Sequence, residues 1–165
     1  GCVATGIFGI GRKIPMNRVN DLGQREGYWR DSVGGGFVYD LYYKGGKKDG
    51  LYKRFYRNKL FLFGEYTADN ISGTWYMFGD EGELRCTIDS IELNKDSIYT
   101  GYCRIFCKYK CYCADYYPSG AVKSEGYMVC DEDFMVDFWE IGEWKYYDES
   151  GNLIKTKDYG DRRTP

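Results

Sequence analysis

The fold is decided by a stretch near the end of the chain, residues 142–153, which read GEWKYYDESGNL. After the first glycine, aromatic and polar residues alternate, as they do in a β-strand whose two faces have different surroundings. The segment DESG then interrupts the alternation with residues that tight turns prefer. The stretch therefore predicts a β-hairpin that begins at Gly142.

The same beginning recurs along the chain. A glycine followed two positions later by an aromatic residue or a cysteine occurs at Gly27, Gly50, Gly73, Gly101 and Gly142. Turn signals lie in residues 80–82, 116–122 and 148–151. An isolated hairpin is barely stable in water, so each unit must lie against the next to bury its aromatic residues. The sequence predicts an all-β fold, an elongated antiparallel β-meander of serial β-hairpin repeats.

The composition agrees with this prediction. The chain has 165 residues, enough for one domain or one short array of repeats. Its 18 Tyr, 9 Phe, 4 Trp and 22 Gly favour strands and turns over helices, and no apolar run reaches the roughly 18 residues that a membrane-spanning helix needs. We expect an N-terminal tether in residues 1–25, the repeat domain in residues 26–158 and a polar tail in residues 159–165.

The repeats resemble the MORN-repeat variant family, which includes the antitoxin component of a bacterial toxin–antitoxin pair. Residues 142–153 carry the strongest similarity, followed by residues 73–78 and 47–56, and residues 27–158 are covered with a poor fit in 83–113. The resemblance implies an open β-meander that binds proteins or membranes and brings no catalytic residue. A weaker similarity to choline-binding or glucan-binding modules of the cell wall makes a carbohydrate ligand the alternative.

Two rows of side chains can be counted from the repeat glycines. The second position holds Trp29, Tyr52, Trp75, Cys103 and Trp144, and the fifth holds Ser32, Phe55, Phe78, Phe106 and Tyr147. An odd difference in position places the two rows on opposite faces of the sheet. Phenylalanine has no polar atom and is expected on the inner face, whereas tryptophan and tyrosine tolerate partial exposure. We therefore expect Trp29, Tyr52, Trp75 and Trp144 to bind a partner; packing inside the sheet is the alternative.

Charge and residue types exclude several functions. The net charge is −2, but residues 1–60 hold 12 Lys and Arg against 5 Asp and Glu, whereas residues 61–165 hold 11 against 20. A mean charge near zero argues against a nucleic-acid partner. The chain has no histidine, which excludes catalytic triads with histidine and histidine-ligated metals. We expect a protein-recognition or scaffold module that is not an enzyme and has no cofactor.

Six cysteines lie in the body of the chain: Cys86, Cys103, Cys107, Cys111, Cys113 and Cys130. The four from Cys103 to Cys113 share one face if residues 102–113 form a strand, so a disulfide must reach another strand, with Cys86 or Cys130 as the candidate. Their spacing differs from that of paired zinc motifs, so we expect buried apolar thiols and no metal. The acidic residues 131–143 are expected on a solvated face or against a basic partner.

The start of the chain suggests a lipid anchor. Cys2 follows a small residue, as the lipidated cysteine of a bacterial lipoprotein does before a signal peptidase cleaves the precursor, and a chance boundary is the alternative. Lipid attachment at Cys2 would hold the protein at a membrane in the cell envelope. Six reduced thiols would be unusual in an oxidising envelope, so the cytoplasm is the alternative location.

Overall fold

The computed structural model describes residues 15–95, 107–131 and 138–160. These residues form one open sheet of eleven antiparallel strands whose order in space is their order in the chain. The predicted all-β meander is therefore confirmed. None of the described segments is a helix with the length and apolar character needed to cross a bilayer.

The strands have the following bounds: β1 Arg18–Val19, β2 Arg25–Gly34, β3 Phe37–Lys44, β4 Lys47–Tyr56, β5 Lys59–Thr67, β6 Asn70–Phe78, β7 Leu84–Leu93, β8 Tyr109–Tyr116, β9 Val122–Cys130, β10 Phe138–Tyr147 and β11 Leu153–Asp158. The sheet begins inside the expected tether, because Arg18 and Val19 pair with Glu26 and Arg25. The poorly fitting residues 83–113 contain β7 and the start of β8. The repeat motif predicts neither β1 nor β7, because neither strand carries a repeat glycine followed by an aromatic residue.

Short turns of one kind join the strands of the first half. The two central residues have positive φ in each of these turns, as in Gly45 (56°) and Gly46 (81°) or Ala68 (48°) and Asp69 (70°). Turns with two left-handed residues match the right-handed twist of the strands that they join. They therefore set tight antiparallel pairing from β2 to β6.

A longer turn, closed by a glycine, recurs elsewhere in the sheet. In residues 148–152 the amide of Asp148 donates to the carbonyl of Asn152 at 3.0 Å, and the amide of Gly151 donates to the carbonyl of Asp148 at 3.0 Å. Residues 20–24, 79–83 and 117–121 repeat this pattern. The turns predicted in residues 80–82, 116–122 and 148–151 are therefore confirmed.

Three of the repeat glycines lie where their strand gains two residues relative to its neighbour. Gly27, Gly50, Gly73 and Gly142 all have positive φ, and the pairing register shifts beside the last three. Glycine adopts this conformation without the steric cost that other residues meet. Gly101, the fifth predicted repeat glycine, lies outside the described residues.

One face of the sheet, the inner face, holds the main core. Cross-strand partners place one row of residues on it: Trp29, Leu41, Tyr52, Gly64, then Trp75, Ile88, Cys113 and Gly126. The strands contact chiefly their neighbours in the sheet, and the described residues supply no second layer. The inner-face side chains must therefore cover one another.

Two indole rings lie flat over glycines of the neighbouring strand. A Cβ atom placed on Gly64 would be 2.1 Å from the ring of Trp75, and one on Gly126 would be 2.5 Å from the ring of Trp144. Tyr52 and Tyr66 flank Trp75, with ring centroids 5.5 and 5.3 Å away. Only a residue without a side chain leaves room for these rings, so both glycines are part of the core packing.

Tyr159, the first residue of the expected polar tail, is half-buried. Tyr159 packs against the core cluster, and its hydroxyl lies 2.8 Å from that of Tyr146. Its ring makes an edge contact with Trp144. The sequence pattern failed here because Tyr159 follows the last strand and belongs to no alternating run.

The packing predicts opposite effects of one substitution in two backgrounds. Gly64→Ala should destabilise the protein by about 1–3 kcal/mol, because its Cβ would overlap the indole of Trp75. Trp75→Ala alone should cost about 3–5 kcal/mol. In that background Gly64→Ala should become neutral or stabilising by up to about 1 kcal/mol, since alanine restricts the unfolded chain more than glycine does.

Urea denaturation of the four proteins measures the three differences. Gly126→Ala is the matched control, since its Cβ would meet Trp144 and not Trp75. It should lower the free energy of unfolding by the same amount with and without Trp75. If Gly64→Ala costs the same with and without Trp75, the ring does not rest on the glycine.

Candidate functional site

The predicted binding row faces inward. Trp75 and Trp144 are 1% and 4% exposed, and Trp29 and Tyr52 are half-buried against the core. Phe55 and Phe78 lie on the opposite face and are also half-buried, while Phe106 and Cys103 lie outside the described residues. The expectation that Trp75 and Trp144 are exposed for a partner is wrong, and so is the assignment of the phenylalanine row to the inner face.

The physical reason is that the indole N–H groups bond within the protein. Trp75 Nε1 donates to the carbonyl of Ser72 at 3.1 Å. Trp144 Nε1 donates to that of Tyr127 at 2.7 Å, and Trp29 Nε1 to that of Arg18 at 3.1 Å. An N–H group that is hydrogen-bonded within the protein can be buried without the cost of an unpaired donor. A glycine in a strand interior, such as Gly64, was the sequence signal for a ring packed close to the backbone.

The opposite side of the sheet, the outer face, carries the residues that the main core does not use. Cross-strand pairing places one row on it: Arg30, Asp40, Lys53, Phe63, Tyr76, Thr87, Ala114, Glu125 and Lys145. A second row contains Tyr28 and Tyr42 at one end and Tyr112 and Tyr127 at the other. Most of these side chains are half-buried or exposed. The outer face is therefore both aromatic and charged.

An ion pair organises the N-terminal end of the outer face. Arg30 Nε and Nη2 donate to the two carboxylate oxygens of Asp40 at 2.6 and 2.7 Å. Burial alone would raise the pKa of Asp40, but the hydrogen bonds from Arg30 and Tyr28 outweigh it and lower that pKa. Burial and the bond to Asp40 raise the pKa of Tyr28 to about 12. Arg30 is thereby held in place above the ring of Phe55.

A shallow cleft of about 400 Å³ opens beside this ion pair, at the Gly50 bulge. We call it the β3–β4 cleft; its walls are Tyr28, Asp40, Tyr42, Asp49, Gly50, Leu51 and Lys53. Tyr42 is 45% exposed and Leu51 is 54% exposed. The cleft thus joins an aromatic ring to carboxylates and an ammonium group.

Tyrosines also gather at the C-terminal end of the outer face. The rings of Tyr112 and Tyr127 meet edge to face at 5.1 Å, and Lys110 Nζ lies 5.4 Å from the centre of the Tyr127 ring. The Tyr147 hydroxyl donates to Glu125 Oε1 at 2.6 Å. Burial and Glu125 raise the pKa of Tyr112 to about 12. The Tyr112 phenol is therefore protonated at neutral pH, and the Tyr147 hydroxyl acts as a hydrogen-bond donor.

The cysteines form two cross-strand pairs on the inner face. The Sγ atoms of Cys86 and Cys113 are 3.3 Å apart, and those of Cys111 and Cys130 are 3.6 Å apart. All four are free thiols. Hydrogen bonding within each pair, then burial, raises the pKa of Cys111 and of Cys113. Cys86 and Cys130, the two candidate disulfide partners, thus lie across from β8 cysteines but form no disulfide with them.

Cys107 does not share the face of the other cysteines. It lies before β8 begins and packs with Val129 and Ile141 in a separate small cluster. The prediction assumed one strand over residues 102–113, and the described part of that strand starts at Tyr109. Cys103 lies outside the described residues, as does Cys2, the expected lipid attachment site.

A cavity of about 370 Å³ lies on the inner face beside the first thiol pair. Its lining includes Met77, Cys86, Cys113, Asp115, Glu140 and Trp144. The carboxylate of Asp115 accepts a hydrogen bond from Ser124 Oγ at 2.9 Å. The predicted acidic stretch is divided in the structure, since Glu140 lines this cavity and Glu143 is exposed on β10.

The Arg30–Asp40 pair predicts how stability depends on pH. Because the folded pKa of Asp40 is lowered, its contribution is present above the unfolded value of about 3.9 and is lost as pH falls through the folded pKa. Asp40→Asn should lower the free energy of unfolding by roughly 1–3 kcal/mol at neutral pH. On acidification the variant should lose less further stability than the wild type does. Urea denaturation of both proteins, at a series of pH values from neutral to below the unfolded pKa, measures these differences in stability.

Arg30→Lys is the control for that experiment, since it keeps the charge and loses the two-pronged hydrogen bond. It should fall between the wild type and Asp40→Asn at neutral pH. An acid dependence that is identical in the wild type and Asp40→Asn would show that this carboxylate contributes nothing to the pH profile.

Known proteins offer no match from which to transfer a function. No family model, curated protein or solved structure matches the chain. Similarity to the MORN-repeat variant family stays a prediction from the sequence, and what each face can bind follows from the side chains described above.

Proposed function

We propose that the chain is a non-catalytic recognition module whose outer face binds a protein. One observation carries the proposal: the main core occupies the inner face, and the outer face still presents tyrosines between paired charges. Aromatic residues with a polar atom are enriched where proteins bind one another. Tyr42 and Tyr127, 45% and 46% exposed, are the most open rings of this surface.

The dimensions of the outer face support a protein partner. From β2 to β10 there are eight steps between strands of about 4.8 Å, and five residues of about 3.3 Å span the width, which gives roughly 600–700 Å². A standard protein interface buries about 800 Å² on each partner. A surface of this size suits another folded protein better than a single sugar ring.

Charge is separated along the sheet. A meander keeps the order of the sequence in space, so the basic first part and the acidic remainder occupy different ends. Described residues 15–60 hold 10 Lys and Arg against 5 Asp and Glu, a difference of +5, and the described residues after 60 hold 8 against 15, a difference of −7. A partner with the opposite charge order would approach in one orientation.

The groups on the outer face support binding over catalysis. Arg30 is bonded to Asp40, and Glu125 accepts from Tyr147. Tyr28 and Tyr112 have a pKa of about 12, far from the neutral values at which general acids and bases work best. The resemblance to MORN-repeat variants agrees with this proposal, with either an antitoxin-like neutraliser or an envelope scaffold as its form.

The β3–β4 cleft favours a second candidate function, carbohydrate binding. The exposed ring of Tyr42 offers a stacking surface, and Asp40 and Asp49 offer acceptors for sugar hydroxyls. In this alternative the ligand is a glycan of the cell wall, and the binding site is the cleft alone.

The proposal predicts that outer-face tyrosines matter for partner binding and not for folding. The double variant Tyr42→Ala, Tyr127→Ala should weaken binding of a partner, isolated with the wild-type chain from the source cells, by about 100-fold, or roughly 3 kcal/mol. The variant should retain the wild-type circular dichroism spectrum. Calorimetry with the purified partner gives the affinities.

The matched control is Leu153→Ala, Ile154→Ala, which removes two exposed apolar side chains from β11. It should bind as the wild type does. If the tyrosine variant binds the partner as tightly as the wild type does, the outer face is not the binding surface and the proposal is wrong. Binding of peptidoglycan or a soluble glycan that Tyr42→Ala alone abolishes would replace the protein partner with the carbohydrate alternative.

A further inference from the structure

Three potential metal ligands meet at the inner-face cavity. The Sγ atoms of Cys86 and Cys113 and a carboxylate oxygen of Asp115 all lie within 4.8 Å of one another. Cys86 lies on β7, and Cys113 and Asp115 lie two residues apart on β8. The sequence spacing gave no zinc motif because the ligands come from two strands that the fold brings together.

We propose that Cys86, Cys113 and Asp115 form a binding site for a thiophilic divalent cation such as Zn²⁺. Two thiolates and one carboxylate are a ligand set that Zn²⁺ accepts, whereas Mg²⁺ and Ca²⁺ prefer oxygen ligands alone. Each cysteine releases its S–H proton to solvent as its sulfur bonds the ion. The bound Zn²⁺ then carries two thiolates and one carboxylate, with a net charge of −1.

The sulfur positions suit an ion better than a disulfide. Pairing places Cys86 opposite Asp115 and Ile88 opposite Cys113, so the two cysteines are diagonal neighbours. Diagonal neighbours lie roughly 7–8 Å apart, and disulfides need Cα atoms about 4.4–6.8 Å apart. Two sulfurs on a tetrahedral zinc ion, each at about 2.3 Å from it, are about 3.8 Å apart, close to the 3.3 Å between these Sγ atoms.

The surroundings also fit a cation site. The Asp115 carboxylate is held by Ser124 Oγ, and hydrogen bonds of this kind orient metal ligands. The three ligands line a cavity of about 370 Å³, which leaves a fourth position for water or a small ligand. Among the described residues the other thiol pair, Cys111 and Cys130, is fully buried and belongs to no such ligand group.

Zn²⁺ titration of the reduced full chain, in competition with a chromophoric chelator, tests the proposal. The wild type should bind one Zn²⁺. Cys86→Ser and Cys113→Ser should each weaken binding by about 100-fold or more, and Asp115→Asn by about 10-fold or more. Co²⁺ should give a sulfur-to-cobalt charge-transfer band in the wild type that both serine variants lose.

Cys130→Ser is the matched control, because it removes a buried thiol from the other pair and should change the affinity less than twofold. Circular dichroism shows whether each variant is folded. If a serine variant unfolds, Asp115→Asn still tests the site, because it keeps both thiols. Equal weakening by Cys130→Ser, unchanged affinity in Asp115→Asn, or a Cys86–Cys113 disulfide in the purified chain would each overturn the proposal.

Discussion

The sheet depends on two indole rings that rest on two glycines. A sheet without a second described layer must cover its apolar side with its own side chains, and flat rings cover more area than upright ones. Trp75 and Trp144 can lie flat because Gly64 and Gly126 have no side chain beneath them. The indole N–H groups bond to backbone carbonyls, so the rings are buried without an unpaired donor.

The repeat glycines decide which residues reach this core. Gly27, Gly50, Gly73 and Gly142 have a left-handed conformation, and the aromatic residue two positions after each of them points to the inner face. Residues one position earlier or later in the strand then point outward, and the outer face receives Tyr28, Arg30 and their cross-strand partners. Core and candidate binding surface are therefore the two faces of the same alternating strands.

Much of the fold could be predicted from the sequence, because glycines, turn residues and alternation act locally. The turn in residues 148–152 needs only Asp148 and Gly151. The faces could not be assigned in the same way. The assignment used the difference in polarity between tryptophan and phenylalanine, whereas Trp75 is buried because its ring packs on Gly64 of another strand. The candidate cation site has the same origin, since Cys86 meets Cys113 only once β7 and β8 are paired. The contact of Tyr159 with the core could not be predicted, because Tyr159 follows the last strand and belongs to no repeat.

The order of the strands has a consequence for how the protein is made. Each strand pairs with the one just before it in the chain, so every hairpin can close as soon as its second strand has left the ribosome. Contacts between near neighbours in sequence have a small entropic cost of loop closure. With this order the growing sheet can add one strand at a time, and the open edge left by each new strand is covered when the next strand pairs with it.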